Sequence, residues 1–370
     1  DQIYHPISPI SADSTYNVMI LDLQSGKVKD KSSFVGSSGQ SIVYMSGASI
    51  FVTYSYPVDF VGFMYDFLNS QAGLFPKEIT EKIAKLRDYE ISATSKTMEL
   101  SLIIQQYENS LGNDEKLKLE NEVQNKMTDY VKVRNRELEK TGIIKINSED
   151  LNISANGTVP GNPLNQFSLD EYQGNLRVAT SIGGGFWGMG FGGRSSESAN
   201  DVYILNKNLD KIGKVEDLGK GEKIYSARFI EDKGYVVTFK QIDPFYVIDL
   251  SNPKNPQMKG ELKIPGYSSY LHPINKDKII GIGKEDNRVK ISLFDVSSPS
   301  EPKEVSKYTL DEYWTEVENN HHAFLLDDKH NVFFLPGGKG GYVFSYTGDE
   351  LKLVKAISDN QVKRALYLND

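Results

Sequence analysis

The sequence predicts an all-β fold, a β-propeller of four-stranded antiparallel blades, and three observations lead there. One phrase is written twice: Tyr246-Val-Ile-Asp249-Leu-Ser-Asn-Pro253-Lys-Asn-Pro256 is answered by Ser292-Leu-Phe-Asp295-Val-Ser-Ser-Pro299-Ser-Glu-Pro302, with the aspartate and both prolines displaced by 46 residues. Short apolar runs broken by turn residues recur along most of the chain, and a repeat of roughly 40 to 50 residues containing several such runs is the signature of propeller blades. Aromatic residues suited to strands are abundant, with 21 Tyr and 17 Phe.

Taken in order, residues 1–13 read as irregular, and Val18 to Asp22 and Lys27 to Phe34 read as the third and fourth strands of a blade. Five complete blades follow. The first comprises residues 41–45, 50–54, 142–146 and 151–159; the second 166–169, 176–180, 202–205 and 211–215. The third comprises 224–229, 235–239, 245–250 and 258–262, and the fourth 268–271, 278–282, 290–294 and 303–308. The fifth is 322–326, 332–335, 342–346 and 351–356, after which Arg364-Ala-Leu-Tyr-Leu368 starts a partial sixth. Either the two ends complete one blade between them, or the chain is a piece of a longer propeller.

The propeller therefore occupies residues 1–57 and 142–370, and residues 58–141 form a helical insertion between the second and third strands of one blade. Pro76 opens a segment with apolar residues at Ile79, Ile83 and Leu86, which is helical spacing. Amphipathic stretches over 95–111 and 113–138 follow, the second with Asn113 as N-cap and Asp114 and Glu115 in the first turn, where carboxylates complement the helix dipole. The insertion is expected to be a cap packing its apolar stripes on the propeller, with a free recognition arm as the alternative.

Composition narrows the chemistry. A net charge of -8 argues against nucleic acid as a partner, because phosphate binding needs a basic footprint. The absence of cysteine excludes disulfides, thiolate nucleophiles and Cys-type zinc sites. No apolar run is long enough to span a membrane as a helix. Asp1-Gln-Ile-Tyr lacks an initiating Met and reads as a processed or excised start.

Several motifs in one order carry a likeness to a known family. Gly157-Thr-Val-Pro-Gly-Asn-Pro-Leu-Asn-Gln-Phe-Ser-Leu-Asp-Glu-Tyr172, Leu176-Arg-Val-Ala-Thr180, Gly221-Glu-Lys-Ile-Tyr-Ser-Ala-Arg-Phe229, Val237-Thr-Phe-Lys-Gln-Ile-Asp-Pro244, Leu262-Lys-Ile-Pro-Gly-Tyr267 and His322-Ala-Phe-Leu-Leu-Asp327 resemble the secreted β-propeller proteins of archaea and some bacteria, distantly related to WD repeats. The resemblance covers nearly the whole chain and implies a propeller fold and an extracytoplasmic, secreted or cell-surface location. It supplies no catalytic motif.

Loop order sorts the candidate sites. In a blade whose innermost strand comes first, the second-to-third loops and the loops between blades share one face of the propeller. The Asp249 and Asp295 turns fall on the other face and read as turn chemistry, with calcium as the alternative. His321 and His322 are expected on a strand start with side chains on opposite faces, and His272 at the opposite face of the propeller, so the three should not converge. His322 with Glu316 and Glu318 is the candidate for a catalytic or metal site at the channel mouth. No Gly-x-Ser-x-Gly elbow, phosphate loop or His-Glu-x-x-His occurs.

The loop Gly183-Gly-Gly-Phe-Trp-Gly-Met-Gly-Phe-Gly-Gly193 interleaves Phe186, Trp187, Met189 and Phe191 with glycine. It reads either as an apolar tip that docks a partner or as a loop folded over its own blade. Asn152-Ile-Ser and Asn156-Gly-Thr are glycosylation sequons, placed in the outermost strand of the first blade and its following turn. The expected function is non-enzymatic: a scaffold needing no cofactor that binds a protein, glycan or cell-surface component through its helix-bearing face. The alternatives are a hydrolytic or metal-dependent propeller enzyme and a self-assembling surface structure joined by strand edges.

Overall fold

The computed structural model describes residues 3–4, 14–36, 41–56, 59–183, 198–239, 243–359 and 362–366. The first sheet has three strands, β1 (Ile3–Tyr4), β2 (Ser14–Leu21) and β3 (Val28–Gly36), with β2 and β3 forming an antiparallel hairpin and β1 pairing in parallel with β3. Five four-stranded antiparallel sheets follow, each an up-and-down meander. The first blade holds β4 (Val43–Met45), β5 (Ser49–Tyr56), β6 (Lys140–Asn147) and β7 (Ile153–Pro160), and the second β8 (Leu169–Tyr172), β9 (Asn175–Ile182), β10 (Ala199–Leu205) and β11 (Lys211–Val215). The third holds β12 (Lys223–Ile230), β13 (Lys233–Phe239), β14 (Asp243–Asp249) and β15 (Gln257–Ile264). The fourth holds β16 (Tyr267–Pro273), β17 (Lys278–Glu285), β18 (Arg288–Asp295) and β19 (Lys303–Leu310), and the fifth β20 (Leu325–Asp327), β21 (Val332–Pro336), β22 (Gly340–Ser345) and β23 (Lys352–Ser358). The molecule is a propeller.

Burial follows strand position. All of β10 is buried, as are the central residues of β17 and β18, because a middle strand is covered by the blades on either side. The outermost strands alternate, as in β19, since one of their faces meets solvent. Each neighbouring pair of sheets shares an apolar layer. Phe51, Val159, Leu169 and Tyr203 join the first and second blades, Val202, Ile224, Phe229 and Val236 the second and third, and Val247, Ile264, Leu271 and Phe294 the third and fourth.

The repeated Asp-and-proline phrase acquires a role at the rim. Asp249 Oδ1 accepts from the Ser251 amide at 3.0 Å and hydroxyl at 2.6 Å, and Asp295 does the same with Ser297 at 3.0 and 2.6 Å. Each turn then packs on the outermost strand of the preceding blade, and the contact point is a glycine. A Cβ on Gly213 would lie 2.1 Å from the Pro253 carbonyl oxygen, and one on Gly260 would lie 2.2 Å from that of Pro299. Glycine is needed there because another blade's backbone approaches, not because of its own dihedral angles.

Between β5 and β6 run four helices, α1 (Phe60–Ser70), α2 (Lys77–Arg87), α3 (Ala93–Asn109) and α4 (Asn113–Leu138). Their apolar residues form one cluster drawn wholly from the insertion, including Phe63, Met64, Phe67, Ile83, Leu100, Ile104, Met127 and Val131. The expectation that the stripes pack on the propeller is thus corrected: α1 supplies an apolar partner for the other helices. The N-cap of α4 is Gly112, not Asn113, and the Glu115 carboxylate accepts from the Gly112 amide at 3.3 Å.

Two predicted innermost strands also begin differently. Gln166–Ser168 and His321–Ala323 are 3₁₀ turns, and β8 and β20 start only after them. Of the segment Arg364 to Leu368, expected to open a sixth blade, residues 364–366 have no regular structure and 367–368 lie outside the described residues.

Candidate functional site

The helix-bearing face is fixed by a polar anchor. Near the end of α4, Arg136 donates to both carboxylate oxygens of Asp201 at 2.8 and 2.9 Å and to Asp217 at 2.8 Å. The Asp201 side chain is fully buried and also accepts from the Tyr203 hydroxyl at 2.6 Å and the Asp217 amide at 3.0 Å. Burial and this carboxylate together hold the Tyr203 phenol well above its ordinary value. One turn of chain later, Glu139 accepts from the Gly183 amide at 3.2 Å. The helices are therefore bolted to the second blade by ion pairs, with their apolar core separate from the propeller's.

On the same face the loop between β19 and β20 presents aromatic side chains. Glu312 is buried and accepts from the Lys339 amide at 2.8 Å and the Tyr342 hydroxyl at 2.5 Å, which pins the loop. Its neighbours Tyr313 and Trp314 are 67% and 41% exposed, and the Lys284 ammonium lies 4.8 Å from the Tyr313 ring. A second group, Tyr225, Phe239 and Tyr267, has ring centroids 4.9 to 5.4 Å apart where β12, β13 and β16 meet the same face.

Of the residues proposed for catalysis, Glu316 and Glu318 share a 3₁₀ turn. Glu318 pairs with Lys284 at 3.5 Å, and burial raises its carboxyl above the ordinary range. His322 is exposed, and its ring centroid lies 4.0 Å from that of His321. The two imidazoles do not diverge as strand alternation required, because a 3₁₀ turn places consecutive side chains closer together than a strand does. Among the described residues no three of His, Asp and Glu are grouped to hold a metal ion. Phe186, Trp187, Met189 and Phe191 lie outside the described residues. Asn152 and Asn156 are exposed, the first in the turn before β7 and the second within it.

The channel brings together residues from several blades. Tyr270 and His272, two apart on β16, face the same side, and the Tyr270 hydroxyl lies 2.8 Å from His272 Nδ1. Phe324 meets the His272 ring at 4.5 Å, and Phe167, in the 3₁₀ turn before β8, meets His321 at 4.8 Å and Tyr270 at 5.9 Å. Gln166 Nε2 lies 3.1 Å from His321 Nε2, so the second and fifth blades touch across the channel. Over Phe167 at 3.8 Å lies the guanidinium of Arg228, from β12. Burial pushes Arg228 below its ordinary value, and burial and then Arg228 push His272 down to about 4. His321 is lowered by burial, by His322 and by Arg228. His272 and His321 are thus linked only indirectly, through Tyr270, Phe167 and Arg228.

Five four-stranded blades in meander order, meeting at a packed channel and carrying a helical insertion on one face, define the class of protein as a β-propeller. The family model described as Beta propeller domain matches residues 1–370, and the chain belongs to that family. It is 48% identical over 369 residues to an uncharacterized protein of Archaeoglobus fulgidus, covering 100% of this chain and 57% of that one. It is 40% identical over 369 residues to an uncharacterized protein of Methanocaldococcus jannaschii, covering 99% and 58% respectively. The chain therefore spans somewhat under three fifths of the length of these relatives.

Proposed function

We propose that this propeller is a non-enzymatic scaffold outside the cell membrane that binds a protein or glycan of the cell surface through its helix-bearing face. The observation that carries the reading is the convergence on one face of a separately cored helical bundle and the exposed pair Tyr313 and Trp314. Exposed aromatic pairs stack on sugar rings and anchor protein contacts, and aromatic residues are enriched where binding energy concentrates. The rigid Arg136 anchor means that such a face is presented in one geometry, which lowers the ordering cost of binding.

The test is retention on isolated archaeal cell envelopes and on a glycan array. The double variant Y313A/W314A is expected to lose retention while its circular dichroism and Tm stay unchanged. Equal retention by the folded variant, and by a second variant with residues 59–139 replaced by a short linker, would refute the proposal.

A further inference from the structure

Among the described residues the channel holds a charge with no ion-pair partner. Arg228 Nε is enclosed and has no hydrogen-bond partner among the described residues, and the guanidinium is held by ring stacking on Phe167 and by the Tyr270 hydroxyl. The carboxylate nearest to a partner is Asp170, and it is already engaged by Arg177, whose Nε donates to Asp170 Oδ2 at 3.0 Å. The imidazoles beside Arg228 do not compete for an anion, since His272 and His321 are both shifted toward the neutral form. Charges taken out of water are ordinarily paired, so an unpaired guanidinium in a packed channel points to a counter-ion that is not part of the described chain.

The adjoining space states what shape that counter-ion has. A cavity of about 360 Å³ opens beside Arg228 and is walled by Val43, Tyr44, Met45, Phe167, Leu169 and Phe229, with Gln166 and Asp170 as its other polar contributors. That volume is at the lower end for small-molecule sites, and here apolar side chains and converging polar groups share the wall in similar measure. Asp170 on the wall opposes a second negative charge on the ligand, which disfavours phosphate dianions and dicarboxylates. Guanidinium presents a planar fork that matches a carboxylate in two parallel bonds, and the stack on Phe167 fixes the plane of that fork.

We infer that the channel binds a small organic monocarboxylate, its carboxylate on Arg228 and its apolar body against Phe167, Tyr44 and Met45. Arg228 lies three residues before the β12–β13 turn, which is on the face opposite the helices, so this site is separate from the surface proposed above.

Calorimetric titration and thermal shift of the whole chain with benzoate and hexanoate test the inference, with benzamide and inorganic phosphate as comparators. Saturable binding of benzoate or hexanoate at millimolar or lower concentration is expected, with benzamide and phosphate at least about tenfold weaker. R228M should abolish carboxylate binding while folding normally, and R228K, which keeps the charge but loses the fork, should weaken it. No carboxylate binding by the wild type, equal binding by R228M, or phosphate binding as tightly as benzoate would each overturn the inference.

Discussion

Replacing Arg136 by Met removes the bolt between helix α4 and the second blade while keeping the aliphatic stem. Asp201 then loses both charge-assisted bonds but retains the Tyr203 hydroxyl and the Asp217 amide. Removing one partner of a buried ion pair costs about 3 to 5 kcal/mol when the other is left bare. Arg136 is itself 27% exposed and two donors remain on Asp201, so the expected cost is about 2 to 3 kcal/mol. D201N alone should cost a similar amount, and the double variant little more, giving a coupling energy above about 1 kcal/mol. Chemical unfolding of the four proteins measures the cycle, and amide exchange reads the local effect, with protection lost first over the last turns of α4. Additive losses, with coupling under about 0.5 kcal/mol, would refute the view that this pair anchors the insertion.

The rim contacts make a sharper steric prediction. G260A pushes a methyl group into the Pro299 carbonyl and should cost about 1 to 3 kcal/mol, seen as a Tm lowered by a few degrees, whereas G47A, with nothing within 4 Å, should be neutral. His272 gives a pH signature: the folded protein keeps it neutral to about pH 4, while the unfolded imidazole takes its proton near its ordinary 6.5. Protonation between those values favours the unfolded chain, so stability present above pH 6.5 is lost on acidification toward 4, by up to about 3 kcal/mol. H272Q should flatten that part of the stability profile, and an unchanged acid limb would show that another group is responsible.

The blades were readable because their strands are runs of β-branched and aromatic residues separated by turn residues at a steady interval. Helix α1 was less so: its buried residues Phe60, Val61, Phe63, Met64, Phe67 and Leu68 keep helical spacing, but it has no acidic residue in its first turn and no basic residue in its last to mark its ends. The two 3₁₀ turns had a local signal that the strand reading passed over. Asn165 and Asn320 each accept the amide two residues ahead, at 3.0 and 3.1 Å, and such side chains offer the backbone an alternative to the sheet. The Arg228 cluster had no such signal, because its members come from four blades and meet only through closure of the fold. Tyr313 and Trp314 could have been flagged from composition, as the chain has only two tryptophans and one stands beside a tyrosine in a loop.

The contact between Gln166 and His321 bears on the mechanics of the ring. The third and fourth blades lie between the second and the fifth in the chain, so this contact runs across the channel rather than between neighbours. Layers between neighbouring blades fix the spacing from one blade to the next, yet they leave the whole row free to flatten or splay. A bond across the middle opposes that distortion, as a crossbar does in a wheel with no hub. Movement of the second blade is then felt by the fifth as well as by its neighbours.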